Sequence, residues 1–211
     1  MGDLIGAARP LLAVAFTAWG SPVTWLELVA FGLSLWMVVC NMRVDPLGWP
    51  LAMVSSLLYS LLFAASRLYG EAALQWVFIG VAVWGWRQWL EGRHGRGQAV
   101  AVGRMSPRER WMALGLTLAA WPLLATALAR WTDSDVPWLD ALATAGSITG
   151  QFMLGRKWIE NWAVWLAVNV FSVALFAVKG LWLTTLLYAL FAVLSVAGWR
   201  AWRAQLGPAH G

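Results

Sequence analysis

Residues 136–202 read VPWLDALATAGSITGQFMLGRKWIENWAVWLAVNVFSVALFAVKGLWLTTLLYALFAVLSVAGWRAW. Slid back by 113 positions without a gap, this stretch overlies Val23 to Trp89 and matches it at roughly 18 of 67 positions. Trp25-Leu26-Glu27 lies under Trp138-Leu139-Asp140 where each unit begins, and Leu62-Phe63-Ala64 under Leu175-Phe176-Ala177. Gly85-Trp86-Arg87 with Trp89 lies under Gly198-Trp199-Arg200 with Trp202 where each unit ends. Chance similarity of apolar segments would scatter its matches, whereas these gather at the two ends of a gapless alignment. The chain therefore reads as two copies of one unit.

The composition says what solvent those units face. The 211 residues are 61% hydrophobic and 12% charged, with 18 Trp, and the mean hydropathy is +0.65; soluble domains carry about 25% charged residues. A water-soluble globule is excluded. At roughly 20 apolar residues per bilayer crossing, seven runs are long enough to span: Val23 to Met42, Leu47 to Ser66, Leu68 to Leu90, Trp111 to Arg130, Val136 to Leu154, Trp158 to Val178 and Leu181 to Trp202. Gly6 to Trp19 is also apolar but short, and Arg9-Pro10 breaks it, so an interfacial or packing helix is expected there. Asp3 precedes any basic residue and no small-residue cleavage site follows, so the N-terminus is expected to be retained rather than removed as a signal peptide.

Each unit holds three runs and the fourth run joins them. An offset of four crossings is even, so the two units point the same way, in a 3+1+3 parallel repeat about an axis along the membrane normal. The expected fold is an all-α membrane protein of seven transmembrane helices. Its segments are an interfacial stretch over residues 1–22, a first repeat over 23–90, a basic loop and linker helix over 91–135, a second repeat over 136–204 and a tail over 205–211. Of the 15 Lys and Arg, alternating sides puts 11 on one face, including Arg43, Arg87, Arg93, Arg96, Arg104, Arg108, Arg110, Arg156, Lys157, Arg200 and Arg203, and 4 on the other. The excess belongs in the cytoplasm, which sets the N-terminus outside and the C-terminus inside. The same reading accounts for the net charge of +5 without a nucleic-acid partner, because the basic residues lie between apolar runs and form no continuous patch.

Catalysis lacks its usual parts. The two histidines, His94 and His210, fall in the basic loop and the tail, and the lone Cys40 sits inside an apolar run. No intramembrane His is left for a metal, a haem, a dyad or a proton relay, so no cofactor, metal or enzyme activity is expected.

Polar residues inside the spans are the candidates for function, since an unsatisfied amide or hydroxyl at mid-bilayer costs several kcal/mol. In the sixth span Trp162, Trp165 and Asn169, at offsets of 3, 4 and 7, share one helical face. Trp162 alone would also suit an interfacial belt, and Asn169 would also suit an interhelical hydrogen bond. In the third span Glu71 and Gln75 are one turn apart; Glu71 either reaches back to the outer interface or faces inward, whereas Gln75 lies too deep for that. Ser55, Ser56, Tyr59 and Ser60 make a hydroxyl stripe on the second span. Through the 113-residue offset Ser56 corresponds to Asn169, Trp49 to Trp162 and Gln75 to Tyr188, so both units contribute polar or aromatic groups at matching depths.

Several of these residues resemble a known family. Gly48-Trp49-Pro50, Leu68-Tyr69 with Gln75, Gly85-Trp86, and above all Arg156-Lys157-x-x-Glu160-Asn161-Trp162-x-x-Trp165-x-x-x-Asn169, followed by Tyr188 and Gly198-Trp199-Arg200, resemble the bacterial nicotinamide riboside transporters of the PnuC family, over nearly the whole chain from Trp25 onward. The resemblance implies a SWEET-like seven-helix carrier of the inner membrane, a homotrimer, that moves nicotinamide riboside by facilitated diffusion while a cytoplasmic kinase traps the product. It implies substrate contacts from Trp162, Trp165, Asn169, Gln75, Tyr59, Glu71, Tyr188 and Ser56. Some relatives carry Asn near Ser55, a departure that bears on the second span. Members for thiamine and riboflavin leave the vitamin open, and a channel or a membrane assembly factor are the readings from other classes. A phosphorylated substrate is disfavoured, because no Lys or Arg occupies the middle of a span.

Overall fold

The structure is a computed structural model that describes residues 10–18, 20–65, 69–94, 101–132, 136–178 and 182–206. The first long helix begins where the sequence can cap it. The Thr24 hydroxyl accepts from Glu27 N at 3.2 Å while Thr24 N donates to the Glu27 carboxylate at 3.4 Å, a capping box that satisfies two backbone donors of the first turn. From there α1 runs over Trp25–Met42. It is followed by α2 (Gly48–Ala65), α3 (Tyr69–His94), α4 (Pro107–Trp131), α5 (Pro137–Gly155), α6 (Asn161–Val178) and α7 (Trp182–Gln205). Ser106 repeats the capping box with Glu109 ahead of α4, and Pro137 starts α5, where its missing N–H leaves no bond unmade.

Seven long helices among the described residues thus follow the seven apolar runs to within a few residues. Four of them, α1, α4, α6 and α7, are long and apolar enough by themselves to cross a bilayer. In α2 the described apolar stretch, Gly48–Leu62, is shorter.

The segment before α1 departs from expectation. Instead of a short helix, Val14–Ala18 (β1) and Ser21–Thr24 (β2) form an antiparallel hairpin. Val14, Phe16 and Thr17 are β-formers, Pro22 disfavours a helix interior, and Gly20 takes the left-handed φ of 80° at the turn. The carbonyls of Leu11 and Ala13 accept from Leu26 N at 2.7 Å and Trp25 N at 3.2 Å. The turn ahead of β1 therefore supplies acceptors for first-turn N–H groups that α1 cannot satisfy internally.

Within the chain α1 packs on α2, α2 on α3, α5 on α6 and α6 on α7; α3 crosses to α5 and α1 to α7, while α4 rests on α5. Close approach is arranged by small residues, as is usual for helices without water between them. On α5 Gly146 faces Val168, Gly150 faces Trp165 and Gly155 faces Trp84.

Contacts at the ends of α1 and α5 recur 113 residues apart. Arg43 and Arg156 close the two helices, and the next residues, Val44 and Lys157, take positive φ values of 56° and 54°, which cost a residue with a Cβ roughly 1–2 kcal/mol. The indole of Trp202 donates to Asn41 O at 3.0 Å and that of Trp89 to Leu154 O at 3.2 Å. Trp49 meets Trp89 edge to face with centroids 5.5 Å apart, and Trp162 meets Trp202 in the same way at 5.5 Å. Gly85 lies against Trp49 and Gly198 against Trp162. These four indoles are the centre of the buried core.

Candidate functional site

The faces of α1, α2, α3, α5, α6 and α7 converge on a cavity of about 340 Å³, within the size range of small-molecule sites. On α1 the lining positions Glu27, Phe31, Ser34, Val38 and Asn41 keep helical spacing, and α5 contributes Ser147, Gln151 and Leu154. Seven of the eight residues singled out in the sequence line this one space: Trp162, Trp165, Asn169, Gln75, Tyr59, Tyr188 and Ser56. The eighth, Glu71, lies in the first turn of α3, and its side chain is outside the described residues.

Asn169 resolves into two halves. Its Nδ2 donates to Ser195 Oγ on α7 at 3.1 Å, and Ser195 Oγ in turn donates to Phe191 O at 2.7 Å. Because the Ser195 proton is committed to the carbonyl, the hydroxyl accepts from Asn169, which fixes the orientation of the amide. The interhelical bond and the binding role are therefore not alternatives: the NH₂ is used in packing and Oδ1, buried, meets no protein partner. Asn41 Oδ1, Asn161 Oδ1 and Trp162 Nε1 are likewise buried and unmatched. Buried polar atoms without partners are uncommon and concentrate at working sites.

Trp162 is 3% exposed, which removes the interfacial-belt reading. Its ring is wedged between Gly198 and Trp202. Trp165 is half-buried, held against Gly150 on one side and lining the cavity. About three turns further along α6, Phe176 joins an aromatic group with α7, in which Tyr188 stacks on Phe176 at 5.1 Å and meets Phe191 edge-on at 5.9 Å. The hydroxyl stripe divides its labour: Ser55 bonds Ser34 at 2.7 Å and Ser60 donates to Ala72 O at 3.0 Å, tying α2 to α1 and α3. Ser56 and Tyr59 line the cavity.

Sequence reasoning missed Glu27, Gln151, Asn41 and the aromatic pair Phe176 and Phe191. Gln151 carried only a weak signal, because an amide one turn from the end of an apolar span also suits the interface. Glu27 was visible only as part of the repeated Trp-Leu-acid triplet.

Among the described residues no Lys or Arg lines the cavity. The basic residues collect at the end where α1 and α5 stop. Arg156 lies over Phe152, Trp84 and Trp158 at 5.5, 5.9 and 5.9 Å, and Lys157 Nζ over Trp89 at 4.8 Å. There the chain ahead of α4 straps the α5–α6 turn: Gly103 exchanges backbone bonds with Lys157 O and Ile159 N at 3.0 and 2.9 Å. Glu160 holds Met105 N at 3.1 Å and Arg110 at 2.8 Å. The first acid of the Glu-Asn-x-x-x-Trp run is thus a clasp for the linker and not a wall of the cavity.

A cavity of this kind, walled by indoles and phenols with unmatched amide oxygens, suits a flat heteroaromatic ligand carrying amide and hydroxyl groups. Residues 24–204 match the family described as nicotinamide mononucleotide transporter. The chain belongs to that family, the PnuC-type transporters. It is 29% identical over 196 residues to the riboflavin/roseoflavin transporter RibM of Streptomyces davaonensis, covering 89% of each chain. To the nicotinamide riboside transporter PnuC it is 22% identical in Escherichia coli, covering 95% of this chain and 94% of that one. To PnuC of Neisseria mucosa it is 26% identical, covering 86% and 73%. The crystal structure of a vitamin B3 transporter PnuC superimposes with a TM-score of 0.71 at 22% identity, over 86% of this chain and 81% of that one, which establishes the fold. The PnuC-type chain is accordingly a multi-pass membrane protein of a transporter family.

Proposed function

We propose that this PnuC-type protein carries nicotinamide riboside across the bacterial inner membrane by facilitated diffusion, with a cytoplasmic kinase trapping the product. The observation that carries the reading is the convergence of Trp165 and Asn169 with Tyr59 and Gln75 on one cavity whose described lining holds no basic residue. A cationic pyridinium stacked on an indole in a dry site gains about 2 kcal/mol or more. Its carboxamide N–H has an acceptor in Asn169 Oδ1, and Gln75, Tyr59, Tyr188 and Ser56 supply partners for the carbonyl and the ribose. A mononucleotide would bring a phosphate with no cation to receive it.

The architecture in this proposal is the 3+1+3 parallel repeat, N-terminus out and C-terminus in. The matched hydrogen bonds of Trp89 and Trp202, the matched φ values of Val44 and Lys157, and the reciprocal packing of α3 on α5 and α1 on α7 support it. The basic end of the bundle then faces the cytoplasm. Exposed apolar residues on α4, among them Leu123 at 73%, suit lipid or the neighbouring copies of a homotrimer.

Riboflavin is the second reading, favoured by the 29% identity to RibM. Uptake of labelled nicotinamide riboside into proteoliposomes, with unlabelled nicotinamide riboside, riboflavin and thiamine as competitors, tests the assignment. Saturable uptake that nicotinamide riboside competes best, and that stops at equal concentrations without an ion gradient, is the expected result. Uptake of riboflavin alone, or accumulation driven by a proton or sodium gradient, refutes it.

A further inference from the structure

Glu27 is the one charged side chain among the described residues that line the cavity. It heads the lining face of α1, one helical turn before Phe31 and two before Ser34. Among the described residues its hydrogen bonds are those of the capping box, and the one the carboxylate makes, to Thr24 N, is long at 3.4 Å. A carboxylate offers about four acceptor positions, so most of its capacity is open to another group. Asp140, 113 residues on, does not repeat the arrangement, because the α5 wall begins only at Ser147. Among the described residues the cavity therefore has one acidic side chain, at the end opposite the Arg156–Lys157 turn, where Leu62, Phe176, Leu183 and Thr184 complete the lining.

We infer that Glu27 is the counter-charge that makes this carrier prefer the cationic form of a heteroaromatic substrate over an uncharged molecule of the same shape. The inference rests on the proposed transport of a nicotinamide riboside and deepens it. A carboxylate acts on a cation at several ångströms through a medium of intermediate polarity, while a neutral ring of equal size feels only its dipole. The Trp faces add to the preference but cannot be its whole source, since stacking also holds uncharged rings.

The test compares two probes of nearly identical shape, nicotinamide riboside, a cation, and its dihydro form, which is uncharged. Glu27→Gln keeps the size and the capping-box geometry, because Gln serves at that position as well as Glu, and removes only the charge. The quantity read is the ratio of apparent affinities for the two probes within one protein, so that loss of folded material cancels. The ratio should fall about 5- to 30-fold in Glu27→Gln and stay at the wild-type value in Thr24→Ala, which weakens the cap and keeps the charge. An unchanged ratio in Glu27→Gln, or an equal fall in Thr24→Ala, overturns the inference while leaving riboside transport standing. Wild-type protein that takes up riboflavin but neither riboside overturns both, and so tells the two failures apart.

Discussion

Replacing Asn169 with Ala separates binding from packing at one residue. Among the described residues the side chain makes one hydrogen bond, Nδ2 to Ser195 Oγ at 3.1 Å, and interhelical bonds of this sort in membranes are worth about 0.6 kcal/mol on average. Ser195 keeps its bond to Phe191 O, so little else is stranded and the loss of stability should stay near or below about 1 kcal/mol. Binding suffers more. The ligand carboxamide would enter a buried site with its N–H unmatched, which costs roughly 1–3 kcal/mol, a factor of about 5 to 150 in affinity. Ser195→Ala is the internal control, because it removes the same packing bond and leaves Asn169 Oδ1 in place. Titration calorimetry with nicotinamide riboside, alongside thermal melting of the purified proteins, reads both quantities. Wild-type affinity in folded Asn169→Ala, or equal affinity losses in Asn169→Ala and Ser195→Ala, would show that the amide only joins α6 to α7.

Trp165→Phe should retain part of the affinity and Trp165→Ala very little, since Phe still offers a cation an aromatic face but a weaker one; the same titration checks it. Gly198→Ala would bring a methyl group to 2.6 Å from the Trp162 ring, and such overpacking costs about 1–3 kcal/mol. A clear fall in Tm is expected there and none in Gly32→Ala, where a new Cβ meets nothing within 4 Å. A reporter joined after Gln205 should be active only in the cytoplasm, and Ser134→Cys should react with an impermeant thiol reagent from outside; the native Cys40, 4% exposed, contributes little background. The reverse labelling pattern would refute the assigned orientation.

The seven helices were legible because a bilayer imposes length and apolarity on each crossing, and both are properties of contiguous sequence. The helical face of Trp162, Trp165 and Asn169 was legible for a similar reason, as residues at offsets of 3, 4 and 7 share a face whatever the rest of the chain does. The N-terminal hairpin was not, because the turn that leads into it is held by first-turn N–H groups of α1, which donate to the Leu11 and Ala13 carbonyls. Composition alone favoured a short amphipathic helix there.

What sequence could not assign is the use each polar group makes of its neighbours. Trp162 and Trp165 are equivalent by spacing and both reach the cavity, yet Gly198 and Trp202 lock the first into the core while the second, held against Gly150, stays half-buried. Asn169 divides its amide between Ser195 and the cavity because α7 comes within hydrogen-bond distance, a fact about helix packing and not about residues 161–169. Glu160 and Glu27 are both acids near a helix start, and only the tertiary structure sends one to Arg110 and the other to the cavity. Periodicity determines which way a side chain points from its own helix; what it meets there depends on the approach of other helices, set here by the small residues between them.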